Sequence, residues 1–339
     1  MINLRDLTYD ELENLIIEKG ESKFRAKQIY QWLNKGVSSY DEMRNVPASL
    51  KVKLSQDYFV FGLKIVKKLE SKLDNTKKYL FELHDGNMVE TVVMYYKHGI
   101  TVCISSQVGC AMGCKFCAST IGGLVRSLSA GEILEQVIFA QKDIGERISN
   151  IVMMGIGEPL ANFDNVVKFL HNVNDENGLN IGYRHISLST CGIVCGIYEL
   201  AKLKLPITLS ISLHSPYDDV RSSIMPVNKK YNISQLIEAC KYYQKECGRR
   251  ISFEYALIKG VNDSEEYAKK LFETVKGIMC HINVIPVNNV DENDFKKPDL
   301  KAIKNFCDCL EKMGVTATVR RELGSDINAS CGQLRKNNL

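Results

Sequence analysis

Three cysteines within eight residues constrain this chain more than any other feature: Cys110-Ala-Met-Gly-Cys114-Lys-Phe-Cys117, a CxxxCxxC run. Thiols this dense, with no secretory signal ahead of them, read as ligands for a metal or an iron–sulfur cluster. A closed structural zinc site or an electron-carrying cluster takes four protein ligands. Three ligands on a four-iron cluster leave one iron open, and an open coordination position is where chemistry happens. The alternative is a structural zinc knuckle whose fourth ligand lies elsewhere, such as Cys103 or a distant histidine.

The 339 residues allow one large domain and a small one. Hydrophobic residues make up 45% and charged residues 25%, the balance of an ordinary globular protein. No run approaches the ~18 apolar residues of a membrane span. Met1-Ile-Asn-Leu-Arg5-Asp6 has no apolar core of a signal or transit peptide, so a cytoplasmic chain with no membrane partner is expected. Twelve cysteines in such a chain are not a disulfide framework. Cys240, Cys247, Cys280, Cys307 and Cys309 read as small core hydrophobes. The net charge of +4 by itself says little about nucleic acid.

Residues 1–60 read as a small helical domain. Thr8-Tyr-Asp-Glu11 is a capping box, Ser22 opens a second helix, and Ser39-Tyr-Asp-Glu42 is a second box. Lys23, Arg25, Lys27 and Lys35, beside Tyr30 and Trp32, suit an RNA backbone as well as they suit a plain folding cap. Residues 61–95 read as a β-rich linker, with period-two alternation at Tyr79, Phe81, Leu83 and at Val89, Thr91, Val93, Tyr95, and a hairpin turn at Asp85-Gly86. Lysines from Lys64 to Lys78 decorate it, as a solvated face or a phosphate-contacting one. Residues 96–339 alternate strand and helix, starting from a Thr101–Ser105 strand that enters the cysteine loop. Six βα units and a last strand at Val315–Val319 imply a parallel sheet closed or partly closed into a barrel. Ligands bind at the carboxyl ends of such strands.

Motifs cluster at those ends. Met154-Gly-Ile-Gly157-Glu158-Pro159 lets backbone approach a ligand and places a carboxylate beside it. Ser187-Leu-Ser189-Thr190 and Ser210-Ile-Ser212-Leu213-His214 end two further strands, and Asn288 follows a third.

These motifs together resemble the RlmN/Cfr family of radical S-adenosylmethionine (SAM) adenine methyltransferases. The resemblance is carried by Val89-Glu90-Thr91, the run from Cys103 to Cys110, the CxxxCxxC, Met154 to Pro159, Ser189-Thr190, Ser212 to Pro216, Met225 to Asn228, His281 to Asn288, and Arg320 to Leu334. It implies an α/β fold, a partial (βα)6 radical SAM barrel with a small helical N-terminal domain and the β-rich linker. It implies a 4Fe–4S cluster on Cys110, Cys114 and Cys117, and SAM held by Gly157, Glu158, Ser189, Ser212, Leu213, His214 and Asn288. In such an enzyme a first SAM methylates Cys331, and an adenosyl radical from a second takes hydrogen from that methyl group. The carbon adds to adenine, Glu90 removes the adenine proton, and Cys103 resolves the Cys331 adduct through a transient disulfide. The implied reaction is methylation of carbon 2 of adenine in 23S rRNA and tRNA by a monomer, with flavodoxin or ferredoxin as electron donor. Ala118-Ser119-Thr120 and Arg320-Arg321-Glu322 favour carbon 2. Ser215-Pro216-Tyr217 and Leu160-Ala161-Asn162 lean toward the carbon-8 branch, which confers antibiotic resistance. The competing class is a non-enzymatic iron–sulfur or zinc RNA-binding protein, which has no use for Cys103 or Cys331.

Overall fold

A computed structural model of the chain describes residues 1–288, 294–330 and 332–334. The N-terminal unit runs β1 (Ile2–Asn3), α1 (Tyr9–Glu18), α2 (Phe24–Asn34), α3 (Ala48–Ser55) and β2 (Tyr58–Phe59), with β1 and β2 paired in parallel. Leu4, Leu12, Ile16, Ile29, Leu33, Leu50 and Leu54 give it a core of its own. The Thr8–Glu11 capping box forms as expected. Ser22 does not cap α2. Lys23 is already right-handed helical there, and the helix starts with no side-chain cap. The Ser39–Glu42 box opens only a single 3-10 turn, because Met43 leaves helical geometry and Pro47 follows.

The meander β3 (Lys64–Glu70), β4 (Lys77–Glu82), β5 (Met88–Tyr96) and β6 (Gly99–Cys103) is antiparallel. A short hairpin that the sequence pattern did not announce, β7 (Gln107–Gly109) with β8 (Leu124–Ser127), brackets the cysteine loop. The alternation then runs α4 (Ala130–Ile144), β9 (Ile148–Met153), α5 (Phe163–Asn174), β10 (Ile186–Thr190), α6 (Val194–Lys202), β11 (Thr208–Ser212), α7 (Asp218–Ile224), α8 (Ile233–Cys247), β12 (Ile251–Leu257), α9 (Glu265–Val275), β13 (Cys280–Pro286), α10 (Leu300–Lys312) and β14 (Ala317–Val319). Helix α7 was not anticipated: seven residues are too few to show a helical period.

One ten-stranded sheet holds the order β14-β13-β12-β11-β10-β9-β6-β5-β4-β3. From β6 to β14 every pairing is parallel. Its two edge strands do not pair with each other among the described residues, so the barrel is partial. Strands β3–β5 continue this same sheet rather than standing apart from it.

The strands alternate sharply. Leu188, Leu209, Ile211, Phe253, Tyr255, Ile282 and Val284 point outward into the main core under the helices. Ser187, Ser210, Ser252, Glu254 and Asn283 line interior cavities. Period two on a half-polar strand gives this outcome. A fully packed barrel would carry branched apolar residues inside; this one keeps a polar interior.

Candidate active site

The cysteine loop leaves β7 at Cys110 and ends in a 3-10 turn at Ala118–Thr120. It is pinned from within by Cys117 N donating to Cys114 O at 3.1 Å, and from outside by Lys115 N donating to Ile224 O at 3.0 Å. Cys110, Cys114 and Cys117 line a cavity of about 160 Å³, together with Gly157, Glu158, Ser189, Ser212, His214 and Asn288. The structure thus brings together all the expected ligand and cofactor residues except one. Leu213 is fully buried in the core, and its carbonyl accepts from Arg221 Nε at 3.0 Å.

Burial pushes the Cys110 thiol up to about 11 and Cys114 higher still. The protein alone therefore does not hold these thiolates; a cationic iron centre in their midst would. Among the described residues, no three His, Cys, Asp or Glu side chains close on a point that suits one metal ion. Thiols spread around one cavity would fit a multi-iron cluster, and the polar strand ends line the same cavity.

Those ends are stapled together. Gly157 has φ +104°, and a Cβ there would stand 2.6 Å from Gln107 Cβ, so only glycine lets the turn close on β7. Glu158 N donates to Gln107 Oε1 at 2.9 Å. The Glu158 carboxylate accepts from Leu160 N at 3.0 Å and Cys191 N at 2.7 Å, tying the end of β9 to the end of β10. Burial lifts its pKa, and the Cys191 N–H opposes that lift. Arg221, fully buried, donates to the carbonyls of Cys191 at 2.7 Å and Ser212 at 3.0 Å and to Asn228 Oδ1 at 2.7 Å. It fixes the mouth between β10 and β11.

His214 sits at φ +58°, with its Nδ1 accepting from Ala256 N at 2.9 Å. Burial, helped by Arg221, holds its pKa down at about 3. The ring is neutral at ordinary pH and carries its proton on Nε2. Phe116, from the cysteine loop, packs edge-on to it at 4.8 Å.

Cys103 ends β6 and lines a second cavity of about 530 Å³ with Val92, Met94, Asn288, Leu323 and Ser330. Met154, Ile285, Asn288 and Arg320 line both cavities. Cys331 lies outside the described residues. Its neighbours divide between the two spaces: Ser330 lines the Cys103 cavity and Gly332 lines the cysteine-triad cavity. Ala118 N donates to Gly332 O at 2.8 Å, and Ser119 Oγ to Leu334 O at 2.8 Å.

An alternating strand usually sends a carboxylate such as Glu90 to solvent, yet Glu90 is 1% exposed. It pairs with Lys78 Nζ at 2.7 Å, which also donates to Asn328 O at 3.0 Å. Glu90 opens on a separate cavity of about 250 Å³ under Asp326–Asn328, not on the Cys103 cavity. The supposed basic strip is largely self-neutralised. Lys64 faces Glu82, Lys68 faces Glu70 and Asp143, and Lys77 faces Glu70. Arg221, Cys191 and Glu254 belong to the site without having been singled out by sequence motif, and Lys78 was read only as one of a run of surface lysines. Glu254 was within reach, since period two in β12 puts it on the face of Ser252.

A glycine–carboxylate turn, hydroxyl-lined strand ends and a three-cysteine loop at one mouth of a partial (βα)6 barrel define a radical SAM protein. Residues 104–272 match the model of the Radical SAM superfamily, and residues 2–60 that of the ribosomal RNA large subunit methyltransferase N-terminal domain. The chain is 57% identical to the "Probable dual-specificity RNA methyltransferase RlmN" of Alkaliphilus oremlandii, over 100% of this chain and 98% of the relative. It is 54% identical to the protein so named in Clostridioides difficile, over 99% and 98%. A radical SAM methyltransferase structure from Sphaerobacter thermophilus superposes with a TM-score of 0.95 at 41% identity, covering 99% of this chain and 100% of that one. The chain belongs to the RlmN family.

Proposed function

We propose that this protein is a radical SAM RNA methyltransferase that methylates carbon 2 of adenine in 23S rRNA and in tRNA, with Cys331 as the carbon carrier. The observation that carries the reading is the division of the chain around residue 331: Ser330 lines the cavity of Cys103, and Gly332 the cavity of the cysteine triad. A carrier must serve both a loading site and a resolving thiol, and this segment borders both. When bound, the cluster and SAM supply a carbon-centred radical able to take hydrogen from an unactivated methyl group.

The chain's own residues do the rest. Cys110, Cys114 and Cys117 hold the cluster, and the stapled turn at Gly157–Glu158, with Ser189, Ser212, the Leu213–His214 segment and Asn288, shapes the SAM site. Neutral His214 offers an Nε2–H donor. Glu90, the base for the adenine proton by family resemblance, is held by Lys78 in a cavity apart from that of Cys103. The Cys103 thiolate attacks Cys331 sulfur, an S–S bond forms, the S–CH2 bond breaks, and its electron pair takes a proton to leave a methyl group on the base. Residues 1–60 serve as an accessory RNA-binding domain, followed by a β-rich segment over 61–95 and the catalytic barrel over 96–339. The enzyme acts as a cytoplasmic monomer with a flavodoxin- or ferredoxin-type donor.

The test is a pair of variants of anaerobically reconstituted enzyme. Cys103→Ala is expected to trap RNA covalently on the protein, seen as a slow band on a denaturing gel, and Cys331→Ala to give neither adduct nor product. Mass spectrometry of the modified adenosine distinguishes carbon 2 from carbon 8. Normal turnover by either variant refutes the carrier reading.

A further inference from the structure

The barrel has a second mouth, at the amino ends of its parallel strands, opposite the cysteine loop. A cavity of about 570 Å³ opens there, sharing Tyr96, Met154, Val319, Arg320 and Arg321 with the Cys103 cavity. Its charges are one-sided. Arg249, Arg250, Arg320 and Arg321 line it against a single carboxylate, Glu254. That carboxylate is already engaged, by Ser252 Oγ at 2.9 Å and Asn283 Nδ2 at 2.6 Å, with Arg320 at 3.8 Å.

Arg249, Arg250 and Arg321 form no ion pair among the described residues. Arg249 donates to Thr208 Oγ1 at 3.3 Å, while its Nε is buried with no acceptor. A buried donor without a partner is costly, and the described residues supply none here. Guanidinium forks match the oxygens of a phosphate.

We propose that Arg249 and Arg250, which directly precede β12, bind the RNA phosphodiesters that flank the target base at this lower mouth. The proposal rests on the RNA-methyltransferase reading above. An enzyme that works on a ring carbon must take the base out of its stack. A base that enters a barrel interior leaves its own backbone at the rim. An arginine rim on a cavity that shares a wall with the Cys103 cavity meets that need.

The experiment measures binding of unmodified, transcribed tRNA to reconstituted holoenzyme across a salt series, for the wild type, Arg250→Gln and the Arg249→Gln/Arg250→Gln double variant. The Arg250 side chain makes no hydrogen bond among the described residues and is exposed, so its variant keeps the fold. The double variant is expected to bind about tenfold more weakly at low salt, and its slope of log affinity on log salt to be shallower by about 1.4, two contacts at ~0.7 each. The Michaelis constant for RNA rises, while melting temperature and RNA-independent release of 5′-deoxyadenosine stay at wild-type values. Unchanged affinity and slope, in a wild type that does bind RNA, overturn this proposal alone. A wild type that neither binds nor methylates RNA overturns the parent reading first.

Discussion

Two segments far apart in sequence dock on the barrel through buried ion pairs, and the two joints differ. At the first, Arg5 meets Glu135 of α4 at 3.0 Å, with both side chains at most 1% exposed. The Arg5 guanidinium also donates to the carbonyls of Leu33, Val37 and Phe61, and Asn3 Nδ2 reaches Glu135 at 3.0 Å. Asp6 caps the amino end of α4 through Gly131 N at 2.8 Å. At the second joint, Lys78 bridges Glu90 and the carbonyl of Asn328 beside an open cavity. The first pair is dry and crowded with acceptors. The second has room for water to replace a broken contact. Separating charges where no water can follow is costly; where water can follow it is less so. The N-terminal joint is thus built to stay shut, and the C-terminal joint to release. That contrast suits the carrier role proposed above for the segment around residue 331.

The largest expected effect is at the closed joint. Glu135→Ala leaves Arg5 buried without its counter-charge and is expected to cost about 3–5 kcal/mol, read as a drop in the denaturant midpoint. A loss of less than about 1 kcal/mol would mean that water reaches this joint after all. Acidity sharpens the point. Burial pushes the Glu135 carboxyl up to about 7 from an ordinary 4.5, against the pull of Arg5. A raised folded-state pKa gives stability that is full below 4.5 and lost as pH rises through about 7. The effect is at most about 3 kcal/mol. Glu135→Gln keeps an acceptor for Arg5 without the charge, so its melting temperature is expected to stay flatter than that of the wild type over this window. Parallel curves for the two proteins would place the titration elsewhere.

Much of this fold was legible because its devices are local. The capping box at Thr8 marks a helix start, and the six strand–helix units follow from periodicity. The CxxxCxxC loop and Gly157–Glu158 could be brought to one cavity from the sequence because both directly follow strands. The hairpin around the cysteine loop was not legible, since its strands have only three and four residues. Lys78 was also illegible. Its neighbours Lys77 and Lys68 do face outward to carboxylates, and nothing local tells that Lys78 lies under the C-terminal segment, 250 residues further on. Arg221 looks like one charge on a short helix, and only the fold shows it clamping the ends of β10 and β11. What the sequence hides are long-range partners, because a side chain's burial depends on what the rest of the chain lays over it.

At the releasable joint, Lys78→Met is expected to cost about 1–3 kcal/mol, the penalty of a lost buried hydrogen-bonded partner where water can enter. Its more telling signature is local. Amide exchange in residues 323–330 is expected to accelerate well before that of the β9–β11 core, while α4 keeps its protection. Uniform acceleration throughout would make this pair a second closed joint and erase the contrast.

The smallest effect comes from the same lysine–carboxylate chemistry in the open. Glu70, at the end of β3, accepts from Lys77 at 2.7 Å and Lys68 at 3.1 Å, and is half exposed. Its neighbours depress its pKa, chiefly through the Lys77 hydrogen bond. Exposed pairs of this kind are screened by salt and contribute little to folding. Glu70→Gln is therefore expected to leave the melting temperature within error of the wild type. It also releases Lys77 wholly, and Lys68 in part because Asp143 still holds it at 2.6 Å. If the β3–β4 face meets RNA, tRNA affinity should then rise, more at low salt than at high. Lys67, which has no ion pair among the described residues, is the internal control: Lys67→Gln should move affinity the other way. A melting shift comparable to that of Glu135→Ala would show that burial does not separate these pairs. An affinity indifferent to both changes would remove the β3–β4 face from the RNA footprint and leave the arginine mouth to carry it.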